Sequence, residues 1–307
     1  MARPLKTIKN NLIYFFARGL IALLGFLPFA WMKPLGRGFG SSVFALAGGE
    51  RRKTLASLQI AYGDGMPNQE AMKLARSVWK RLGWNLFEVV KWRTLSHDRL
   101  VAMVAREDGR EHLEKAIQKG KGVLVLTAHL GNWELLAAWL SEKYTTTAVA
   151  QRLYDERFDE LITEMRTNIL KVQMIKRGMA LRAILEALRK NAIVIALVDQ
   201  DTGKDGVFVP FFKKAAWTQS GSARIAQKTG ATLVPAFMFR GEDGRFEVHV
   251  EREIEIPKTG DIEKDVLETV RQYTEVMEKY VKRYPDQWMW MHERWKTRPE
   301  GEKAGTM

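Results

Sequence analysis

Short apolar runs alternate with stretches of helical periodicity through the second half of the chain. The apolar runs lie at 122–128, 147–150, 172–175 and 193–198. Between them, apolar positions recur every three or four residues at 155–170 and 179–190. Strands that alternate with helices form βαβ units, whose strands pair in parallel. The pattern predicts an α/β fold with a mainly parallel central sheet flanked by helices.

The regions on either side of this alternation carry other patterns. Residues 50–118 have helical periodicity, which is most regular from 70 to 90. Downstream, the pattern predicts a helix, a pair of strands and a long amphipathic helix, at 220–228, 232–240 with 245–255, and 262–284. A helical region therefore precedes the α/β domain, and a strand pair with a long helix closes it.

The first apolar segment, residues 12–32, contains one charged residue, Arg18. At 1.5 Å per residue, a helix of this length could span a bilayer core of about 30 Å. Gly25 and Pro28 weaken such a helix, so a full span and a bent helix that dips into one leaflet both remain open. Since no small-residue cleavage site follows, we expect a retained membrane anchor rather than a signal peptide.

These patterns divide the chain into four parts. We expect a membrane anchor at 1–35, a helical region packed on the main domain at 36–118, an α/β domain at 119–300 and a flexible tail at 301–307. No internal repeat or low-complexity tract interrupts the sequence. A chain of 307 residues can bury a sizeable core without disulfides or a structural metal.

Basic residues outnumber acidic ones, with 49 Lys and Arg against 36 Asp and Glu and a formal net charge of +13. Such a surplus attracts either nucleic acid or an anionic membrane face. Ten tryptophans and the apolar amino terminus favour a membrane, and no zinc-finger spacing or basic arm supports nucleic acid. The chain has no cysteine, which excludes thiol catalysis and suits a reducing cytoplasm.

The stretch at 127–134 places an ionisable pair where a strand is predicted to turn into a helix. His129 would end the strand, Asn132 is a candidate N-cap and Glu134 would open the helix. A neutral histidine with a carboxylate behind it is a general base. Because no nucleophile or Gly-x-Ser-x-Gly elbow accompanies it, the simplest chemistry is direct transfer to an acceptor hydroxyl. The alternative is a structural histidine bonded to a helix cap.

Asp199 and Gln200 follow the predicted strand at 193–198 as His129 follows its own strand. Sites in open α/β sheets lie at the carboxyl ends of strands, so these ends could face one cleft. With Glu134, the same side chains could also be metal ligands. A single histidine without His-Glu-x-x-His spacing gives that idea little support, so we expect no metal.

Two stretches near the end of the chain combine tryptophan with basic residues. Lys213, Lys214 and Trp217 lie in a predicted loop, which suits an interfacial or phosphate-binding lip or, equally, a solvated pair of charges. The tryptophans between residues 288 and 295 either pack on the domain or lie at the lipid headgroup layer. The sequence leaves both alternatives open.

Three blocks of the sequence together resemble one known family. The first is His-Leu-Gly-Asn-Trp-Glu at 129–134, and the second joins Val-Asp-Gln-Asp at 198–201 with Val-Phe-Val-Pro-Phe-Phe at 207–212. The third is the tail at 284–300, which is unusually specific. In this order they resemble the late acyltransferases of lipid A biosynthesis and their bacterial relatives that acylate other glycolipids. The resemblance covers nearly the whole chain.

The resemblance implies a glycerolipid acyltransferase-like α/β fold and a role for individual side chains. In that interpretation His129 is the general base, Glu134 orients it and Asp199 supports the site. Arg166 would hold the developing oxyanion or a phosphate of the lipid or donor. The residues expected to bind substrate are Asn132, Arg152, Gln200, Lys213 and Lys214. The segment after Arg152 departs from the Arg-Pro and Asn-Pro pattern of many lipid A enzymes.

The resemblance also implies an O-acyltransferase anchored at the bacterial inner membrane, with its catalytic domain on the cytoplasmic side. No cofactor is expected: an acyl chain from acyl carrier protein, or from coenzyme A, would pass to a hydroxyl of a lipid A precursor in lipopolysaccharide biosynthesis. The partners would be acyl carrier protein, anionic membrane lipid and the glycolipid acceptor, without nucleic acid. The alternatives are acylation of another glycolipid or a lysophospholipid, a non-catalytic basic membrane-binding protein, and a metal-dependent lipid hydrolase.

Overall fold

The computed structural model describes residues 2–149, 155–175 and 180–301, with side chains from residue 10 onward. Its strands are β1 (Val104–Asp108), β2 (Val123–Thr127), β3 (Thr146–Val149), β4 (Gln173–Ile175), β5 (Ile193–Leu197), β6 (Gly206–Phe211), β7 (Lys214–Gln219), β8 (Thr232–Arg240) and β9 (Phe246–Val250). Seven of them form one sheet in the order β1-β9-β8-β2-β5-β3-β4, and β6 pairs with β7 in a separate hairpin.

Five neighbouring strands of the large sheet, β8, β2, β5, β3 and β4, run parallel. β9 pairs antiparallel with β8, and β1 pairs parallel with β9. The mainly parallel sheet and the 232–240 with 245–255 strand pair predicted from the sequence are therefore confirmed, although the second strand ends at Val250. Every residue of β2 is buried, because layers of helices cover both faces of the sheet.

The helices are α1 (Ala2–Phe26), α2 (Met32–Leu46), α3 (Gly48–Tyr62), α4 (Asn68–Trp92), α5 (His97–Val101), α6 (Arg110–Gln118), α7 (Trp133–Lys143), α8 (Glu156–Glu164), α9 (Ala180–Arg189), α10 (Gly221–Thr229) and α11 (Ile262–Arg283). A π-helix, Met165–Ile169, continues α8. Helices α5, α6 and α7 pack on one face of the sheet, and α9, α10 and α11 pack on the other. The helices predicted in these regions are confirmed to within a residue or two.

Two segments differ from the sequence prediction. The 50–118 region is not helical throughout, because Val104–Asp108 forms β1 at the edge of the sheet. Four of its five residues are exposed, so it lacks the apolar run of the inner strands. The predicted loop around Lys213, Lys214 and Trp217 is also wrong. Lys214 begins β7, Trp217 lies within it, and Lys213 occupies the hairpin turn with a φ of 61°.

The amino-terminal segment is divided rather than continuous. Helix α1 ends at Phe26, a 3₁₀ turn covers Phe29–Trp31, and α2 begins at Met32. None of the helices that the structure describes is long and apolar enough to cross a membrane, so a spanning anchor at 12–32 is not supported. Large apolar side chains are nevertheless exposed on these helices, namely Leu12, Ile13, Phe15, Phe16, Leu23, Phe26, Trp31, Phe39 and Leu46.

Helices α2 and α4 approach each other closely enough that their contact requires glycine. A Cβ atom on Gly40 would lie 2.0 Å from the carbonyl oxygen of Trp79, and one on Gly83 would lie 2.2 Å from that of Gly36. Helix α4 in turn reaches the main domain, where the side-chain amide of Asn85 donates to the carbonyl oxygen of Gly131 at 2.8 Å. The helical region therefore supports the loop that follows β2.

Candidate active site

The carboxyl ends of two adjacent parallel strands bring His129 and Asp199 together. Thr127 in β2 pairs with Leu197 in β5, so His129 and Asp199 each lie two residues beyond this pair. The backbone N–H of His129 donates to Oδ2 of Asp199 at 2.9 Å, and its ring Nδ1 lies 2.9 Å from Oδ1. The sheet register thus fixes the pair, as expected for a site at the strand ends of an open sheet.

Asp199 is almost completely buried, with 1% of its side chain exposed. The indole Nε1 of Trp288 donates to its Oδ2 at 2.9 Å. Burial by itself raises the pKa of Asp199, but the charge on protonated His129 and hydrogen bonds from His129 and Trp288 outweigh burial and lower the pKa to about 2. Asp199 is therefore a carboxylate at neutral pH, and Nδ1 of His129 is the nitrogen that donates to it. This leaves Nε2 of His129 as the basic nitrogen.

The loop after β2 turns sharply so that α7 can begin within four residues of His129. Gly131 has a φ of 63°, and a Cβ atom there would lie 1.8 Å from the carbonyl oxygen of Met238. The side-chain oxygen of Asn132 accepts from the N–H of Leu135 at 3.1 Å, which confirms the predicted N-cap. Asn132 is buried in this role, so the structure gives it a capping function where substrate binding was expected.

Glu134 contacts an arginine and not His129. Nε of Arg166 lies 3.0 and 3.2 Å from the two carboxylate oxygens of Glu134, and Nη2 donates to Oε1 as well. The structure therefore gives His129 a different carboxylate partner, Asp199, from the one expected from the sequence. The first turn of α7 directs Glu134 towards the π-helix that carries Arg166, whereas Asp199 arrives beside His129 on the neighbouring strand.

Arg166 is held at the cavity wall with about a quarter of its side chain exposed. Burial alone would lower the pKa of Arg166, but the hydrogen bonds and charge of Glu134 raise it above the ordinary value. The guanidinium is therefore a fixed positive charge in the wall of the cavity that His129 also lines. The sequence prediction that Arg166 faces the same cleft as His129 is confirmed.

A cavity of about 580 Å³ opens beside His129 and extends between the sheet and the flanking helices. Its polar wall includes His129, Glu134, Arg166 and Gln200. Its apolar lining includes Ala137, Ala148, Ile162, Val172, Ile184 and Ile195. A cleft of this volume with an apolar lining and a few convergent polar groups suits a small ligand with a hydrocarbon portion.

Other residues predicted to bind substrate lie in different places. Gln200 lines the cavity, as expected. Lys213 and Lys214 are exposed at the turn of the β6–β7 hairpin, where the neighbouring Phe212 N–H donates to Glu278 on α11 at 2.6 Å. Neither lysine lines the cavity, and substrate binding by them stays a prediction. Arg152 lies outside the residues that the structure describes.

Two residues of the carboxyl-terminal segment join the site without having been predicted there. Trp288 binds Asp199, and Nε2 of His292 lies 2.9 Å from the amide nitrogen of Gln200. Nearby, Trp288, Trp290 and Trp295 are buried, so packing on the domain is confirmed over the headgroup alternative. The only sequence signal was the specific tail block, because a contact spanning about 90 residues leaves no local periodicity.

A metal-binding set is not evident from the same geometry. Within residues 2–149, 155–175 and 180–301, no group of three or more His, Asp or Glu side chains is arranged to hold a metal ion. Glu134, one of the three ligands considered for such a site, is bonded to Arg166 instead.

Residues 4–297 of the chain match the family described as bacterial lipid A biosynthesis acyltransferase. The chain is 29% identical over 290 residues to the lipid A biosynthesis lauroyltransferase of Escherichia coli strain K12, which covers 92% of this chain and 91% of that protein. It is 26% identical over 295 residues to the palmitoleoyltransferase of the same organism, covering 94% and 92%. The phosphatidylinositol mannoside acyltransferase of Mycobacterium tuberculosis strain H37Rv is 30% identical over 168 residues, or 53% of each chain.

The family match covers every part of the site described above. It includes the strand ends that carry His129 and Asp199, the π-helix that carries Arg166 and the segment that carries Trp288 and His292. The family match spans nearly the whole chain, and relatives that align over most of their own length are named as acyltransferases. Together these findings establish the class of the enzyme. The chain belongs to the bacterial lipid A biosynthesis acyltransferase family and is an acyltransferase.

Proposed function

We propose that this enzyme transfers a fatty acyl chain from a thioester donor to a hydroxyl of a lipid A precursor, with His129 and Asp199 as its catalytic pair. The observation that carries the proposal is the histidine–carboxylate pair whose histidine lines a largely apolar cavity, in a chain whose family acts in lipid A or glycolipid biosynthesis. The cavity would hold the acyl chain, and His129 would meet the acceptor hydroxyl.

The reaction needs one proton transfer and one acyl transfer. Nε2 of His129 removes the proton of the acceptor hydroxyl as the oxygen attacks the thioester carbonyl carbon. The tetrahedral intermediate then collapses, the carbon–sulfur bond breaks, and the leaving thiolate takes the proton from His129. The products are an ester and a free thiol, so His129 returns to its neutral form. Asp199 stabilises the intervening imidazolium through its bond to Nδ1.

Arg166 supplies the positive charge of the site in this mechanism. Its bonds to Glu134 hold the guanidinium at the wall of the cavity, where it can stabilise the oxyanion of the intermediate or a phosphate of the lipid or donor. Glu134 thus acts through Arg166, in place of the direct role expected from the sequence. Gln200, which also lines the cavity, contacts the ring of His129.

The donor and the membrane complete the proposal. Acyl carrier protein is the proposed donor and coenzyme A the alternative, and a formal net charge of +13 favours association with an anionic partner or membrane. We propose that α1 and α2 lie in the surface of the inner membrane on its cytoplasmic side. Phe16 and Phe26 are 76% and 87% exposed there, and Lys33 and Arg37 lie close by in sequence.

Acylation of another glycolipid is the second candidate function. The observation that favours it is the 30% identity to phosphatidylinositol mannoside acyltransferase over 168 residues, which is at least as high as the identity to the lipid A enzymes. Because the catalytic pair would be the same, the two candidates differ in the acceptor and not in the chemistry.

Transfer of a labelled acyl chain in detergent tests the proposal. Purified enzyme receives acyl carrier protein or coenzyme A loaded with the same chain, together with a lipid A precursor, a mannosylated phosphatidylinositol, a lysophospholipid or no acceptor. We expect labelled lipid A precursor from the native enzyme. Labelling confined to the mannosylated lipid would move the function to the second candidate, and labelling confined to the lysophospholipid or donor hydrolysis alone would contradict both.

Membrane association is tested separately by sedimentation with vesicles. The native chain should bind vesicles that contain anionic phospholipid, and Phe16→Glu with Phe26→Glu should weaken binding by about tenfold or more, since each change places a charge on the exposed apolar surface. Binding that is unaffected by these substitutions would contradict the proposed surface.

A further inference from the structure

The side-chain amide of Gln200 lies between the rings of two histidines. Its nitrogen is 2.9 Å from Nε2 of His292, and it is 3.2 and 3.4 Å from Nδ1 and Nε2 of His129. The centroids of the two rings are 5.2 Å apart, with 58° between their planes. One amide group therefore contacts both histidines of the site.

The two contacts differ in kind. The bonding directions of Nδ1 and Nε2 diverge in the plane of an imidazole ring, so an atom nearly equidistant from both is aligned with neither. Nδ1 of His129 is in any case bonded to Asp199. The amide of Gln200 thus packs against the ring of His129, and its directed hydrogen bond goes to Nε2 of His292.

His292 can accept this hydrogen bond only when its Nε2 carries no proton. Burial lowers the pKa of His292 below the ordinary value for histidine, and the charge of protonated His129 lowers it further, while Asp199 and Glu50 act in the opposite direction. The backbone keeps the two histidines close, because the N–H of Met289 donates to the carbonyl oxygen of His129 at 3.2 Å and the N–H of His292 donates to that of Met289 at 3.1 Å.

We propose that His292 is a positioning residue for His129, which it holds in place through the amide of Gln200. The inference rests on the proposed acyl transfer with His129 as the base. Asp199 holds one nitrogen of the His129 ring, which leaves the ring able to tip about that hydrogen bond. The amide of Gln200 and the ring of Trp133, whose centroid is 5.0 Å from that of His129, restrict the tipping.

Protonation of His292 removes the acceptor on which this arrangement depends. Gln200 must then turn its amide so that the oxygen faces His292, or lose the hydrogen bond. Either change releases the amide nitrogen from the ring of His129 and loosens the base. The acid limb of the activity profile should therefore be steeper than the loss of a single base would make it, because protonation of His292 removes the support of His129.

Several charged groups surround His292, and they arise from different elements. The titratable or charged side chains that face it or its immediate neighbours are His129, Asp199, Glu50, Glu293 and Lys53. Lys53 on α3 bridges Glu50 at 3.0 Å and Glu293 at 3.5 Å. Histidine is the side chain whose ordinary pKa falls between about pH 5 and 8, so protonation of His292, and not of these carboxylates or Lys53, can act within the range of an assay.

The test is the pH profile of kcat/KM for the native enzyme, His292→Gln and His292→Leu, from about pH 5 to about pH 9. The native profile should be steeper than a slope of one over part of its acid side, because protonation of His292 lowers the rate further. His292→Gln supplies an amide oxygen that does not titrate, so it should keep activity within about threefold at pH 8 and show a slope of one. His292→Leu supplies no acceptor and should lose about tenfold or more.

Matched controls separate positioning from a general effect on folding. His112→Gln changes a histidine on α6 outside the site and should leave the profile unchanged. An acid limb in His292→Gln as steep as the native one, or native rates in His292→Leu, would overturn the proposal. If His292→Leu fails to fold, the slope of the glutamine variant still decides it.

Nuclear magnetic resonance of ¹⁵N-labelled histidine distinguishes a failure of this inference from a failure of the proposed function. We expect His292 to carry its proton on Nδ1 at pH 8 and to titrate below the ordinary histidine value. A proton on Nε2 would overturn the proposal whether or not acyl transfer is found. An enzyme without acyl transfer in any assay, but with this tautomer of His292, would overturn the proposed function and the positioning role with it.

Discussion

Two charged pairs contribute side chains to the same cavity, but they are built differently. His129 and Asp199 follow adjacent parallel strands, and Asp199 is 1% exposed. Glu134 and Arg166 join the first turn of a helix to a π-helix, and 13% and 26% of their side chains are exposed at the cavity wall. The register of the sheet fixes the first pair, whereas the second is held by its own hydrogen bonds. We therefore assign proton transfer to the first pair and charge stabilisation to the second.

The sharpest way to break the first pair is to remove the base. His129→Ala should lower kcat/KM by about 10²–10⁴-fold, as expected when a general base is lost. The fold should persist, because the ring is partly exposed in the cavity. Acyl transfer and circular dichroism measure the two effects, with His112→Ala as the matched control. Retained transfer in His129→Ala would remove His129 from the mechanism.

Replacing Asp199, the partner of His129, should cause the next largest loss of activity. Asp199→Asn keeps the shape of the side chain but removes the charge that stabilises the imidazolium and fixes the tautomer of His129. We expect a loss of about 10²–10³-fold in kcat/KM, measured at saturating acceptor. Trp288→Phe, which removes one donor to Asp199 and keeps the aromatic ring, should cost less, about tenfold.

The same carboxylate predicts a dependence of stability on pH. The pKa of Asp199 is lowered in the folded protein from 3.8 to about 2. The ionised carboxylate therefore stabilises the folded state fully above the unfolded pKa, and this stabilisation is lost as pH falls from about 4 to about 2. The loss should be on the order of 2 kcal/mol in the free energy of unfolding. Denaturant titrations at several pH values measure it. Asp199→Asn should lack this component, and an identical pH dependence in the variant would contradict the buried carboxylate.

Weakening the second pair should have a smaller effect on the reaction. Glu134→Gln leaves Arg166 in place but removes the charge that holds it, so we expect kcat/KM to fall by about 10–100-fold. Glu107→Gln is the matched control, since Glu107 also pairs with an arginine, Arg110, but neither residue lines the cavity, and it should change activity by less than about twofold. Equal losses in both variants would indicate a general effect of removing an ion pair.

The smallest effect is expected in the apolar part of the cavity. Ala148→Leu adds hydrocarbon to the lining next to β5, which should shift the preference for donor chain length towards shorter chains by about tenfold and leave the rate with the preferred chain within a few-fold. Competition between two labelled donors of different length measures the ratio. An unchanged ratio would place the acyl chain elsewhere.

The sequence predicted those features that depend on local pattern. The alternation of apolar runs and helical stretches located β2, β5, β8 and the long helix α11, because buried parallel strands are almost continuously apolar. It missed β1, an exposed edge strand with polar residues. The membrane-spanning segment was overestimated because Pro28 separates two helices within one apolar run.

Only those parts of the candidate site that follow a local apolar pattern were predicted. His129 and Asp199 each follow an apolar strand, so their strand ends could be located, but the contact between them depends on β2 and β5 being neighbours in the sheet. Sequence proximity instead suggested Glu134 as the partner of His129. Trp288 and His292 reach the site from far along the chain, and no spacing rule encodes such a contact.

The most direct test compares Asp199→Asn with Glu134→Gln in one acyl-transfer assay, with the same labelled donor, acceptor and pH. If His129 works with Asp199, the asparagine variant should be about tenfold or more slower than the glutamine variant, and both should remain folded. A glutamine variant as slow as His129→Ala, beside an asparagine variant close to the native rate, would contradict the account and restore Glu134 as the partner of the base.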